Sequence, residues 1–383
     1  MQRAEPTFLS KLRSNLPWLV RYPGSRAASL LEQTAFEHKH IIFTIANHFE
    51  PGWSDNGILD HKTQIARLKA YHKTARETGE AVRDMDGTKF RHTNFYPAEQ
   101  YHPEIIDIMA EMQAEGLGEV EIHLHHGVER PDTAENLRKT LIGFRDTLAD
   151  EHRCLSRMDG RGDPMYAFVH GNLALANSAA GKFCGVDNEM AILRDTGCYA
   201  DLTLPSAPDE TQVPLINQIY EYEGDPELAV PHSRGRRVGV NGKQSVLPLI
   251  ITGPLTFDYT RLKRGLPVPR IEDGSLTEAM GTSPSRLRRW TSTNITVAGK
   301  PDWIFVKLYC HGFFDRDQSA CIGEDARRFF GGIIEESERS GKRTIHFASA
   351  RELFNMVSAA VDGKTGSPNE HRDYRLKAIM QNV

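Results

Sequence analysis

Long hydrophobic runs are missing from this chain: no stretch of its 383 residues approaches the roughly 18 apolar residues that span a bilayer. A charge excess of one sign is missing too. The 47 basic and 51 acidic residues leave −4 without long blocks, which argues against nucleic acid or an anionic membrane as the main partner. Cysteine is sparse. The five (154, 184, 198, 310, 321) form no close pair, so neither a disulfide framework nor a zinc ribbon is indicated. No G-x-x-x-x-G-K-[ST] stretch occurs, which disfavours a phosphate-binding NTPase. The first 35 residues are broken by Lys11, Arg13, Arg21 and Arg26 and lack the apolar stretch of a secretion signal. A cytoplasmic, reducing location is the resulting expectation.

What is present is ample material for a core, 39% hydrophobic against 26% charged. Leu9, Leu12, Leu16 and Leu19 recur at helical spacing before Pro23 and Gly24, so residues 1–36 read as a helical arm. Short β-branched runs then alternate with amphipathic stretches. Strands are expected at 41–46, 89–95, 119–126, 165–169, 199–203 and 303–309, and at Arg343–Phe347. A further run at 246–251 is weakened as a strand by Pro248. Helices are expected at 103–115, 133–149, 188–196 and 324–341, and at Ala350–Val361. This alternation predicts an α/β fold of parallel units, open or closed, over residues 37–362. Residues 205–300, rich in Pro, Gly and Arg, read as an insertion covering one face, and 363–383 as a polar tail.

Sixteen histidines carry the chemical signal, because six of them stand where strand-like runs end. These are His48, the trio His123, His125 and His126, then His170 and His311. In parallel α/β folds the carboxyl ends of the strands share one rim, where active sites are built. Residues two apart on a strand share a face, so His48 points with Glu50, and His123 with His125, while His126 faces away. Imidazole and carboxylate donors in this mixture suit a divalent metal: zinc first, with manganese, cobalt or nickel as alternatives. His38, His40, His61, His72, His102, His152 and His371 lie in helices or polar segments and are expected at the surface.

Three segments carry a resemblance. Arg91-His-Thr-Asn-Phe-Tyr-Pro, the helix from Pro103 to Met112, and Gly116-Leu-Gly-Glu-Val-Glu-Ile-His-Leu-His-His together resemble the polysaccharide deacetylase (NodB-homology) family. The helix Leu137-Arg-Lys-Thr-Leu-Ile-Gly-Phe-Arg-Asp-Thr-Leu, the Phe168-Val-His-Gly stretch and Phe305-Val-Lys-Leu-Tyr-Cys-His-Gly resemble later motifs of that family, in order. The resemblance implies a distorted (β/α) barrel of about seven parallel strands. It places His125 on the first metal histidine and His311 on the general acid. Departures are plain: Glu129 stands where the second metal histidine would fall, and Asn47-His-Phe-Glu-Pro replaces the family's Asp-Asp pair. His170 and Asn172 stand where its third motif has an arginine.

The implied activity is metal-dependent removal of an acetyl group from an N- or O-acetylated sugar of a glycan, nucleotide sugar or lipid-linked precursor. His48, His123 and His125 would hold the metal, with one position open to water. Glu50 would be the base, His311 the acid, and Asp201 a carboxylate orienting an imidazole. Asn47, His170, Asn172 and Trp53 would contact the substrate, and Trp53, Tyr96 and Trp290 offer sugar-stacking rings. Two rival readings remain. One is a metal-independent glycoside hydrolase pairing Glu50 with Asp201 or Glu129. The other is a non-catalytic glycan-binding protein on the same fold. Cys310, beside His311, would face the other side of a regular strand, against a thiol nucleophile.

Overall fold

In a computed structural model, the described residues are 8–32, 38–243, 245–263 and 265–378. Residues 1–7 and 33–36 of the expected arm, residue 37 at the start of the expected body, the side chains of Leu9 and Leu12, and the end of the expected tail (379–383) lie outside them. The centre is an eleven-stranded, mostly parallel sheet. β1 (Lys39–His48) is its axis, and its Ile-Ile-Phe-Thr-Ile-Ala run is buried throughout, as a parallel strand covered on both faces requires. On one side follow β2 (His92–Pro97), β3 (Gly118–Leu124), β5 (Pro164–His170), β6 (Cys198–Asp201) and β9 (Leu249–Ile251), each parallel to the last. On the other side β14 (Trp303–Cys310) runs in register from His40–Trp303 to Asn47–Cys310. β15 (Arg343–Phe347) pairs with residues 39–43 of β1, and β2 takes over that edge at Ala46. β7 (Ile219–Tyr222) adds antiparallel to β9 and carries β8 (Gly235–Arg237), while β4 (Ser156–Arg157) backs onto β5.

The strand path is open, from β14 to β8. A closed barrel is not shown among the described residues, and the strands outnumber the seven expected. The insertion also differs from a cover. Residues 205–300 supply β7, β8 and β9 to the sheet itself, with β9 seated between β6 and β7. β9 begins just after Pro248, whose missing N–H therefore costs no ladder bond. The same region adds two ribbons, β10 (Thr256–Asp258) with β13 (Arg270–Glu272) and β11 (Leu262–Lys263) with β12 (Leu266–Pro267).

Nine helices are described: α1 (Phe8–Glu32), α2 (His61–Ala81), α3 (Pro103–Ala114), α4 (Ala134–Asp146), α5 (Glu189–Asp195), α6 (Pro284–Ser292), α7 (Gln318–Cys321), α8 (Glu324–Ser340) and α9 (Ala350–Val361). Side chains of β1 alternate between two cores. Ile41, Phe43 and Ile45 enter a cluster with Leu68 and Phe330, and Ile42 and Ala46 enter another with Phe354 and Val357 of the fully buried α9. α1 does not break at Pro23 but continues to Glu32. Tertiary contacts outweigh the cost of a helical proline, about 3 kcal/mol. Trp18 is wholly buried with Ile216 and Leu255, and Ser29 donates to the Thr293 carbonyl at 2.8 Å. The expected polar tail is anchored as well: Leu376 is buried, and its carbonyl accepts from Arg351 and Asn355.

Candidate functional site

The sheet register brings the strand ends to one rim. Pro97 of β2 lies opposite His123, Leu124 of β3 opposite His170, and Asn47 opposite Cys310. Alternation along β1 then separates Asn47 from His48. Asn47 is fully buried, donates to Tyr71 Oη at 3.0 Å and accepts the Gly312 N–H at 2.9 Å. It clamps the exit of β14 rather than meeting a substrate, which corrects the expectation from sequence.

Donor atoms of His48, Glu50 and His123, all buried, lie within 4.8 Å of one another and could hold a metal ion. His123 is oriented for that. Its Nδ1 donates to the Val169 carbonyl at 2.8 Å, so Nε2 keeps its lone pair, and Nε2 is buried with no hydrogen-bond partner. Glu50 Oε1 stands 3.8 Å from it. The His48 ring is centred 4.7 Å from that of His123 and 4.5 Å from that of His311. Burial, and then the neighbouring imidazoles, hold His48 and His123 well below the ordinary histidine pKa, so both are neutral donors. Burial also raises the Glu50 carboxyl.

His125 has a different place. Its Nε2 lies 3.2 Å from Glu50 Oε1 and its Nδ1 2.7 Å from Glu99 Oε1. Burial opposes its charge, but these carboxylates outweigh burial and raise its pKa. Both ring nitrogens are thus engaged by carboxylates, and His125 acts on Glu50 before it acts on any metal. Glu99 went unnoticed in the sequence, although it follows the end of β2 on the same rim.

Beside the group lies a cavity of about 480 Å³, whose wall includes His48, Asn172, Phe183, Lys307, Tyr309 and His311. His311 stacks on Phe314, with ring centroids 4.6 Å apart, and burial lowers its pKa to about 4. Asn172 Nδ2 is buried and without a partner. Lys307 is the residue least foreseen: buried on β14, it donates to the Leu202 carbonyl at 2.9 Å, and burial lowers its pKa to about 7. Only its position in an apolar strand whose neighbours alternate into the rim could have signalled it.

Other expected residues go elsewhere. Asp201 orients no imidazole. Its carboxylate accepts from the Thr203 N–H at 3.1 Å and from Thr203 Oγ1 at 2.8 Å, and burial raises its pKa to about 7. Trp53 lies against Phe314, ring centroids 4.0 Å apart, and lines a separate cavity of about 740 Å³ with Arg67. Tyr96 and Trp290 are completely buried, so neither ring can stack on a sugar. Glu129 is exposed. His72 and His152, expected at the surface, are buried, because Glu115 at 3.2 Å and Asp107 at 2.9 Å supply each with a carboxylate.

His170 leaves the cavity too. With His126, Cys184 and Glu189 it forms a second buried group whose donor atoms lie within 4.8 Å of one another and could hold a metal. A third group, Asp84, Asp86 and His346, is tied up by Arg372, 3.2 Å from Asp84 Oδ2, and by the Phe347 N–H. Compared with models of known protein families, with curated proteins and with solved structures, the chain finds no match.

Proposed function

We propose that the chain is a metal-dependent hydrolase removing an acetyl group from an N- or O-acetylated sugar. The observation that carries this reading is the rim group: two neutral imidazoles and a carboxylate converge beside a cavity with a third imidazole in its wall. The unpartnered Nε2 of His123, locked in its tautomer by the Val169 carbonyl, fits a divalent metal of the zinc class. His48 and His123 would hold that metal. When bound it supplies a Lewis acid and water of lowered pKa. The acetylated-sugar class follows from the resemblance of residues 91–126 to polysaccharide deacetylases, with glycan, nucleotide-sugar and lipid-linked substrates all in range.

The remaining chemistry belongs to the chain's own side chains. Glu50, whose burial makes it a stronger base than an exposed carboxylate, takes the proton of the attacking water. His125, between Glu50 and Glu99, positions that carboxylate and shares its proton. His311, neutral at rest because burial lowers its pKa, takes a proton from solvent in the cavity as negative charge develops on the bound substrate and passes it to the leaving nitrogen or oxygen. Asn172 Nδ2 and Lys307 offer donors to the sugar. A glycoside hydrolase would instead need two carboxylates about 5–10 Å apart across the bond. Asp201 is taken up by Thr203, and the partners of Glu50 are imidazoles, which favours the deacetylase.

Acetate release from a panel of acetylated oligosaccharides and nucleotide sugars tests the reading. The zinc-loaded full chain should release acetate, a chelator should abolish release, and Glu50→Gln should lower the rate by about 10²–10⁴. Release that ignores the chelator, or none from any member of the panel, would overturn it.

A further inference from the structure

The second buried group sits on the other side of the exit from β3, and its donors come from four separate places. His126 follows β3, His170 ends β5, Cys184 lies in the 171–188 loop, and Glu189 opens α5. Each donor but one is oriented by a second contact. His126 Nδ1 donates to Asp132 Oδ2 at 3.0 Å, the carboxylate–imidazole pairing that fixes a metal-binding tautomer. Glu189 Oε2 accepts the Ala176 N–H at 2.6 Å, while Oε1 accepts from His126 Nε2 at 3.1 Å and stands 3.8 Å from His170 Nε2. Unlike His125, which shares no donor group with its two carboxylates, His126 gives its Nε2 proton to a carboxylate that is itself one of the four donors, so a cation between them would take that proton's place. Cys184 Sγ accepts the Val186 N–H at 3.5 Å and lies 3.5 Å from Glu189 Oε2, which fixes its direction toward the other donors. The exception is His170, whose Nε2 is wholly buried and has no hydrogen-bond partner. A desolvated nitrogen of that kind, aimed at a carboxylate, an imidazole and a thiol, lacks a partner that a cation would supply.

We propose that His126, His170, Cys184 and Glu189 form a closed, four-coordinate site for zinc or another thiolate-preferring divalent metal, and that this metal pins the 171–188 loop to the end of β3. Two imidazoles, a thiolate and a carboxylate complete a tetrahedral set and leave no position for water, the pattern of structural zinc rather than catalytic zinc. The two anionic donors balance the divalent charge once Cys184 and His126 Nε2 each release a proton to solvent, His126 keeping the Nδ1 proton that it donates to Asp132. Ligation through His170 Nε2 moves that ring's proton to Nδ1 and gives up only the long 3.3 Å contact from the Asn172 N–H.

The loop itself shows what the pin is for. Leu173, Ala176, Asn177, Ala180 and Phe183 all hold left-handed φ between 48° and 63°. Such backbone persists only where the surroundings over-determine it. Gly127, at φ +64°, lets the Cys184 backbone come against the turn after β3, where any Cβ would overlap it. Leu173 and Phe183 of this loop, with Asn172, form one wall of the 480 Å³ cavity. A metal here would set the shape of the site next door without taking part in its chemistry.

Cobalt distinguishes the two groups, because the rim holds no sulfur. Co2+ added to the chelator-treated full chain should give one equivalent of thiolate-to-cobalt charge-transfer absorption in the near ultraviolet. His48→Ala and His123→Ala should keep this band, and Cys184→Ser should lose it. No band in the wild type, or a band that survives Cys184→Ser, would overturn the proposal, whatever the acetate assay gives. Should Cys184→Ser fail to fold, Asp132→Asn decides: the band should remain and Co2+ affinity should fall about 10–100-fold. Unchanged affinity in that variant would also overturn it.

Discussion

At the scale of single residues, the ammonium of Lys307 exchanges its water for one backbone carbonyl, that of Leu202. Its pKa falls to about 7 from an ordinary value near 10.5. Between those values the unfolded chain holds the proton and the folded chain releases it, so stability rises with pH across that window. At pH 7 the burial cost is still present. Lys307→Met should therefore stabilise the protein by about 2–4 kcal/mol at pH 7 and flatten the slope between pH 7 and 10 in urea unfolding. An unchanged slope would show that Lys307 titrates normally. Gly171 acts through space rather than charge: a Cβ there would run into the His125 ring. Gly171→Ala should displace His125 from Glu50 and lower acetate release more than it lowers the melting temperature.

At the scale of elements, α9 begins with a reciprocal cap. Ser349 Oγ accepts the Glu352 N–H at 3.2 Å, and Glu352 accepts the Ser349 N–H at 2.9 Å. Ser349 Oγ also donates to Glu119 at 2.7 Å, so Ser349→Ala should cost about 1–2 kcal/mol in a denaturant midpoint measurement. α9 was legible in the sequence, as were α3, β1, β3 and β14, because dense apolar residues at period 3.6 or 2 bury one element against another. α2 was not. Its buried stripe mixes Leu68, Tyr71 and Ala75 with Gln64, His72, Thr78 and Gly79, so no apolar period announces it. The helical arm was legible from its leucine spacing, and it runs on through Pro23 because contacts more than 180 residues away hold it. The rim histidines were readable because each ends an apolar strand. Cys184 and Glu189 were not, since only the fold of the 171–188 loop brings them to His126 and His170.

At the scale of the whole molecule, the last described residues close the structure. Arg351, buried under α9's face, is bound by Glu119, by Asp373 at 2.6 Å and by the Leu376 carbonyl at 2.9 Å. Asn355 accepts the Arg375 and Leu376 N–H groups. A chain ending at Gly363 would leave these buried groups unsatisfied, at about 1–3 kcal/mol each. Such a truncation should unfold at a clearly lower denaturant concentration than the full chain. The polar composition of the segment hid this role, because Leu376 is its one fully buried apolar anchor among the described residues.

The placement of β1 reaches into the way the chain is made. This first strand waits for β14 and β15, its partners from the far end of the polypeptide, more than 200 residues later. β2 can pair early with Ala46–His48, but at about 5–20 residues per second synthesis leaves the apolar residues before Ala46 without a strand partner for roughly 10–50 s. Through that interval Ile41, Ile42, Phe43 and Ile45 present a template for other chains.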